Sequence, residues 1–399
     1  MNTGWCSGSE EPGQADWRRI HMTQTPHYSS ENRSTGALFG PADFIAALPG
    51  ILGYYPQESA IVVCLLQDDL DGPAYLGPVM RADLCHASRI GDTIKATPLD
   101  GVMSFLAIVV SRVPNSQLVR DATEELYALA DPDGRALIHA CWHVSEIASG
   151  TPYCLMFGPA PAELLEAGLG EDWLTGTIAS VVSQPTMAPL LAQGALPELD
   201  REDTRAFFEP AATGGEETDA VALTRRAYAR SRRLRDRVET DPRAALEEIA
   251  RACKALTTVP DIGFLAADTK LGMREAFPIA VEAEITAAAL ADRRLRDCLV
   301  ATALEHPHRA GAGLLAVARG YRGVIRANAL SLWAIAAVQL KLASWASVAL
   351  MCAQEEVPGH SLSEVLLELL RLGEHTSLLH SAELGCAAMW EELEGMNRS

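Results

Sequence analysis

The chain reads as an α/β domain with a mixed sheet followed by an all-α domain of helical hairpins, and three observations predict this. Two continuous apolar, β-branched runs, Ile61–Leu66 and Met103–Ser111, have the composition of strands buried on both faces. Segments with helical spacing, Ser88–Ala96 and Gln117–Ala130, alternate with the strand-like runs, the pattern of an α/β layer. Beyond Asp219 no strand-like alternation recurs, and apolar residues return every three or four positions.

Residues 1–35 are polar, rich in Ser, Thr, Gly, Glu and Pro and without apolar period, and read as a disordered tail. The α/β domain is placed at 36–208. Gly40-Pro41 opens a short helix, because proline fits the first turn. Phe44, Ile45, Leu48, Ile51 and Leu52 form its apolar face. Pro49 predicts a break and Gly53 a stop, with Pro56 preventing continuation. After Ile61–Leu66, a turn over Asp68–Gly72 returns the chain as a strand over Tyr75–Asp83. Asn115 or Ser116 suits the cap of the helix that follows Met103–Ser111. In that helix Leu118, Ala122, Leu126 and Leu129 share a face. Asp131–Gly134 is a turn, and Ala136–Ile147 and Tyr153–Phe157 read as paired strands joined around Ser149-Gly150.

Short helices are expected around Pro185 and Pro189. Glu209–Asp219 is acidic, Gly-rich and without bulky apolar residues, the composition of a linker. The all-helical domain is placed at 220–399. Its helices are predicted over Ala220–Val238, Pro242–Leu256, Phe277–Leu290, Arg293–Leu304, Gly311–Ala318, Arg326–Leu340, Ala343–Gln354, Ser361–Leu370 and Ser381–Glu392. Asp241-Pro242 is a start signal, since Asp caps and Pro fits the first turn. Trp333–Pro358 partly fits a tetratricopeptide helix pair, with small Ala346 and Ala353 at close-packing positions. Ala334 stands where that repeat carries Gly, and one copy is evident.

The helix with Pro49, then Leu52-Gly53-Tyr54, Pro56 and Ser59-Ala60-Ile61-Val62-Val63, resembles the opening of the actinobacterial DUF4192 proteins. The resemblance continues through Gly176–Pro189 (GTIASVVSQPTMAP), Leu290–Asp297 (LADRRLRD) and Ala327–Leu362 (ANALSLWAIA…ALMCAQEEVPGHSL). It spans roughly residues 36–375 and implies no catalytic or binding residue.

At 399 residues the chain has room for two domains with substantial cores. A formal charge of −19 disfavours general affinity for nucleic acid or anionic membrane. Nine cysteines sit scattered in apolar segments without a CxxC pair, as free thiols in a reducing compartment do. The first thirty residues lack the apolar core of a signal peptide. Ala327–Cys352 is interrupted by Gln339 and Lys341 and divides into two packed helices rather than a membrane span. A cytoplasmic location is expected.

No P-loop, GxGxxG, GxSxG elbow or HExxH occurs, which lowers the expectation of common nucleotide-binding and hydrolytic chemistry. No cofactor is expected. Three candidate sites remain. Ser111, Arg112, Asn115 and Ser116 lie between a strand end and a helix start, where α/β sheets gather anionic ligands. Asp83 and His86 close the neighbouring strand as a base and its orienter; the bland alternative is a capped turn with a solvated histidine. His139, Cys141 and His143 alternate on one strand, with Cys154 on its partner, and carry zinc-ligand chemistry. Ligands about 7 Å apart along a strand need a bulge to share one ion, so a packed strand is the competing reading.

The third is Arg225–Arg237, with seven arginines in thirteen residues. Arg226, Arg230, Arg233 and Arg237 form one helical stripe beside Leu223, Ala227, Leu234 and Val238. The stripe either docks on the protein's own acidic groups, binds an acidic protein, or touches phosphates. The function expected is a non-enzymatic interaction or regulatory protein with a protein partner. The alternatives are an enzyme or small-anion sensor at the sheet edge, and nucleic-acid binding through the arginine helix.

Overall fold

A computed structural model describes residues 40–66, 75–96, 102–166, 168–210, 217–265 and 272–398. The predicted tail at 1–35 and the turn at Asp68–Gly72 lie outside the described residues. The chain divides into two compact units. The first runs to Ile51 and resumes over Pro56–Thr186; the second takes Leu52–Tyr55 and Met187–Ser399. The short helices of 187–208, read above with the sheet, therefore group with the helices.

The first unit contains helices α1 (Pro41–Leu52), α2 (Ser88–Ala96), α3 (Gln117–Tyr127) and α4 (Pro161–Glu166). Its strands are β1 (Ser59–Leu66), β2 (Tyr75–Asp83), β3 (Val102–Val110), β4 (Ile138–Val144), β5 (Pro152–Phe157) and β6 (Thr175–Thr177). The six form one sheet in the order β2-β1-β3-β4-β5-β6. Only β3 and β4 run parallel, so the sheet is mixed as expected. Seven of the eight residues of β1 are buried, which is why that strand reads as unbroken apolar sequence rather than as an alternation. On one face Val62, Cys64, Ala107, Val109 and Cys141 pack with Ile90 and Ile94 of α2 and Val119, Ala122 and Leu126 of α3. On the other, Phe44 of α1 meets Trp142 edge-on at 6.2 Å, and Trp142 meets Trp173 at 5.6 Å.

Three local expectations are corrected. Helix α1 does not break at Pro49 but continues to Leu52. The Thr186 hydroxyl donates to the Ala47 carbonyl at 2.8 Å, and Gly50 lets the 186 backbone close in, where a Cβ would lie 2.6 Å from it. In α3 the inward residue is Val119, whereas Leu118 is 49% exposed. Ser116 caps the helix by accepting from the Val119 N–H, which sets that rotation. The three-residue β6 carries no apolar signal and was not anticipated; it is held by pairing with β5.

The second unit contains α5 (Ala188–Ala192), α6 (Arg201–Ala206), α7 (Glu217–Thr240), α8 (Pro242–Thr258), α9 (Met273–Ala276), α10 (Ala280–Leu290), α11 (Arg293–Asp297) and α12 (Val300–Glu305). It continues with α13 (Pro307–Gly320), α14 (Val324–Gln339), α15 (Ala343–Glu356), α16 (Ser361–Arg371) and α17 (His375–Arg398). Among its described residues the unit is built of helices, with one isolated bridge between Tyr54 and Glu198. Asp241 caps α8 through the Ala244 N–H, as the Asp-Pro pair predicts. The helix expected from Phe277 starts only at Ala280, and the one expected over Arg293–Leu304 is split at 298–299. Helix α7 starts at Glu217, inside the span read as linker, and 211–216 lie outside the described residues.

Every residue of α14 from Ile325 to Val338 is buried, so its membrane-like composition marks the centre of a bundle. Among the described residues no helix is long and apolar enough to cross a membrane. Phe207 and Phe208 pack onto Trp333 and Trp345, and Phe264 stacks on Trp333 at 4.6 Å.

Candidate functional site

The sheet-edge site forms where Ser59, the first residue of β1, pairs with Val110 of β3 and Asp83 of β2, bringing both strand ends to one edge. Where an anion seat was expected, Ser111 and Arg112 bind a carboxylate of the protein itself. Ser111 donates its hydroxyl to Glu58 Oε2 at 2.8 Å, and the Arg112 N–H donates to Glu58 Oε1 at 3.0 Å. Glu58 has φ +40°, a left-handed conformation that side chains other than glycine adopt at a cost. Sequence reading missed it because it stands 53 residues before Ser111 and resembles an ordinary turn residue.

Arg112 directs its exposed guanidinium to Glu146 at 3.5 Å. The Asn115 carbonyl accepts from Arg120, and Ser116 is spent on its cap. Asp83 stands at the start of the next turn without capping it, and pairs with Arg81 at 2.7 Å instead. His86 is exposed and touches Cys85 Sγ at 3.4 Å.

The β4 residues do not share one face. The register between β3 and β4 shifts between Phe105–Ile138 and Leu106–Ala140, a bulge that inserts His139 as an extra residue. His139 Nδ1 meets the Ser104 hydroxyl at 2.9 Å. Cys141 instead enters the cluster with Phe105, Ala107 and Val109. His143 donates from Nε2 to the Ser111 carbonyl at 3.0 Å, which sets its tautomer. Burial lowers the pKa of both histidines and raises that of the Cys141 thiol. Cys154 is exposed and pairs in register with His143. Among the described residues no group of three or more His, Cys, Asp or Glu side chains is arranged to hold a metal ion.

The arginine helix is α7, and its stripe is largely engaged at home. Glu248 of α8, with a side chain only 8% exposed, accepts from Arg230 Nε and from Arg237 Nη1, each at 2.7 Å. Glu284 of α10 takes Arg230 at 3.4 Å and Arg226 at 4.0 Å, and Asp292 takes Arg235 at 3.8 Å. Arg233, the remaining member of the expected stripe, is exposed. So are Arg225 and Arg232, and none of the three makes an ion pair among the described residues. Arg225 and Arg232 line a groove of about 570 Å³ with Val221, Thr224 and Tyr228.

A fourth arrangement was not anticipated as a site. Arg296, Asn328 and His360 come from two of the segments that carry the family resemblance, Leu290–Asp297 and Ala327–Leu362. Asn328 Oδ1 accepts from Arg296 Nη1 at 2.8 Å and from His360 Nε2 at 2.9 Å, while its Nδ2 donates to the Leu290 carbonyl at 2.7 Å. His360 Nδ1 accepts from the Ser363 N–H, capping α16. Gln354 donates to the His360 carbonyl and the Ser363 hydroxyl. Burial, then the Arg296 charge, lowers the His360 pKa to about 4, so the ring is neutral near pH 7. With its polar atoms matched and buried, the network pins α11, α14 and α16 together rather than offering an open site.

The structure defines a two-unit protein: a mixed-sheet α/β unit followed by a helical bundle built around the buried helix α14. The chain belongs to the DUF4192 family, a domain of unknown function, whose family model matches residues 41–376. No curated protein and no solved structure matches it significantly.

Proposed function

We propose that this chain is a non-enzymatic interaction or regulatory protein that holds an acidic protein segment along α7. One observation carries the reading. Four of the seven arginines between 225 and 237 are paired internally, whereas Arg225 and Arg232 stay exposed beside a groove floored by Val221 and Tyr228. Two guanidinium forks over an apolar floor fit a peptide whose carboxylates flank an apolar side chain. The partner surface thus shifts one face around the helix from the stripe of Arg226, Arg230, Arg233 and Arg237, of which only Arg233 is without an internal partner among the described residues.

A phosphate backbone, with a charge on every nucleotide, meets more of the repulsion from a chain of −19 than a short peptide with two carboxylates does. A small anion at Ser111 and Arg112 would first have to displace Glu58. The proposed location is the cytoplasm of an actinobacterium, and the α14–α15 pair is proposed as a single tetratricopeptide-like hairpin. The test is fluorescence anisotropy with a labelled peptide of alternating Glu and Leu, on the full chain and on a variant carrying Arg225→Glu and Arg232→Glu. Binding that weakens at least about tenfold in the variant, and falls with added salt, supports the proposal. Equal binding by both proteins, or none by the wild type, refutes it.

A further inference from the structure

Three thiols converge in the second unit, from segments far apart in sequence. Cys253 of α8 and Cys386 of α17 both donate Sγ–H to one acceptor, the Cys298 carbonyl, at 3.6 and 3.7 Å, and Trp390 Nε1 donates to the same oxygen at 3.1 Å. The Cys298 thiol is directed to the Arg294 carbonyl at 3.5 Å, back along its own turn. Cys253 is partly exposed, while Cys298 and Cys386 are buried. Two thiols on facing helices thus point at one atom, and one of them is partly exposed.

We propose that Cys253 and Cys386 are a redox-modification site, oxidised by a small disulfide to an intramolecular bond that staples α17 to α8. The Cys253 thiol gives up its proton and attacks the small disulfide, forming a mixed disulfide and releasing one small thiol. Cys386 then attacks the Cys253 sulfur, forming the internal bond and releasing the second small thiol. Two protein thiols are oxidised and one disulfide is reduced to two thiols. The bond replaces two weak S–H···O contacts and leaves Trp390 on the Cys298 carbonyl. Burial raises the pKa of all three thiols, so the exchange is slow and requires the small disulfide in excess.

The experiment incubates the native full chain with excess oxidised glutathione, blocks residual thiols by alkylation, and maps peptides without reduction. The expected product is a peptide pair joined through Cys253 and Cys386. Thermal unfolding should shift up by roughly 5 °C, reversed by dithiothreitol, because a long loop is closed in the unfolded chain. The linkage should survive Cys298→Ser and vanish in Cys253→Ser. Recovery of Cys253 and Cys386 as free thiols or as separate mixed disulfides overturns the proposal. So does a bond in which Cys298 replaces either one.

Discussion

Replacing Asn328 with leucine retains most of the side-chain volume while deleting three hydrogen bonds in a site closed to water. Asn328 is 1% exposed and joins Arg296, His360 and the Leu290 carbonyl. Leucine leaves a guanidinium N–H, an imidazole N–H and a carbonyl without partners. Each orphaned neutral group costs about 1–3 kcal/mol, and a charged one more. Arg296 keeps its contacts to Asp297 at 2.6 and 2.8 Å, which limits its share. The added apolar burial returns about 1–2 kcal/mol. The net loss is about 3–5 kcal/mol, a large fraction of the total stability of an ordinary domain. Urea unfolding followed by tryptophan fluorescence measures it, since Trp333 and Trp345 are buried within the same unit. A loss below about 1 kcal/mol would show that the network does not pin the three helices, and would refute the reasoning.

The same network predicts an acid dependence. His360 titrates near pH 4 in the folded protein against 6.5 unfolded, so the unfolded chain gains a proton first as pH falls. Stability is unaffected by this group above about pH 6.5, falls between 6.5 and 4 by about 3 kcal/mol, and levels off below. Urea midpoints at pH 7.5 and 4.5 should therefore differ more for the wild type than for His360→Gln, and an equal drop in both would assign the effect elsewhere. At the arginine helix, Glu248→Gln should cost about 2–3 kcal/mol, because a buried carboxylate shared by Arg230 and Arg237 loses its charge. Arg233→Glu should stay within about 0.5 kcal/mol by the same denaturant assay, and a large loss there would mean that Arg233 has a structural partner.

Local signals in the chain were read correctly where one residue type has one conformational consequence. Apolar β-branched runs became β1 and β3, Asp241-Pro242 opened α8, and Ser116 capped α3. Readings failed where a distant atom changed the local outcome. Helix α1 runs on past Pro49 with Thr186 seated against Ala47, and the β3 register pushed His139 out of line with Cys141. Ser111 and Arg112 mark the sheet edge in the sequence, but Glu58, which they bind, does not stand out there, since nothing in a turn residue announces which backbone it will bind. The arginine stripe was visible as a pattern, and its division between internal and exposed members depends on Glu248 and Glu284, which lie on other helices.

Hydrophobic periodicity and capping chemistry act over a few residues, so the sequence by itself determined the layered front, the helical back and most element starts. Burial, hydrogen-bond partnership and charge neutralisation depend on which atoms meet across long stretches of chain. Only the tertiary structure could therefore decide that Glu58 takes the Ser111 hydroxyl and the Arg112 N–H, that Asn328 joins three distant segments, and that Arg225 and Arg232, rather than Arg226 and Arg230, line the open groove.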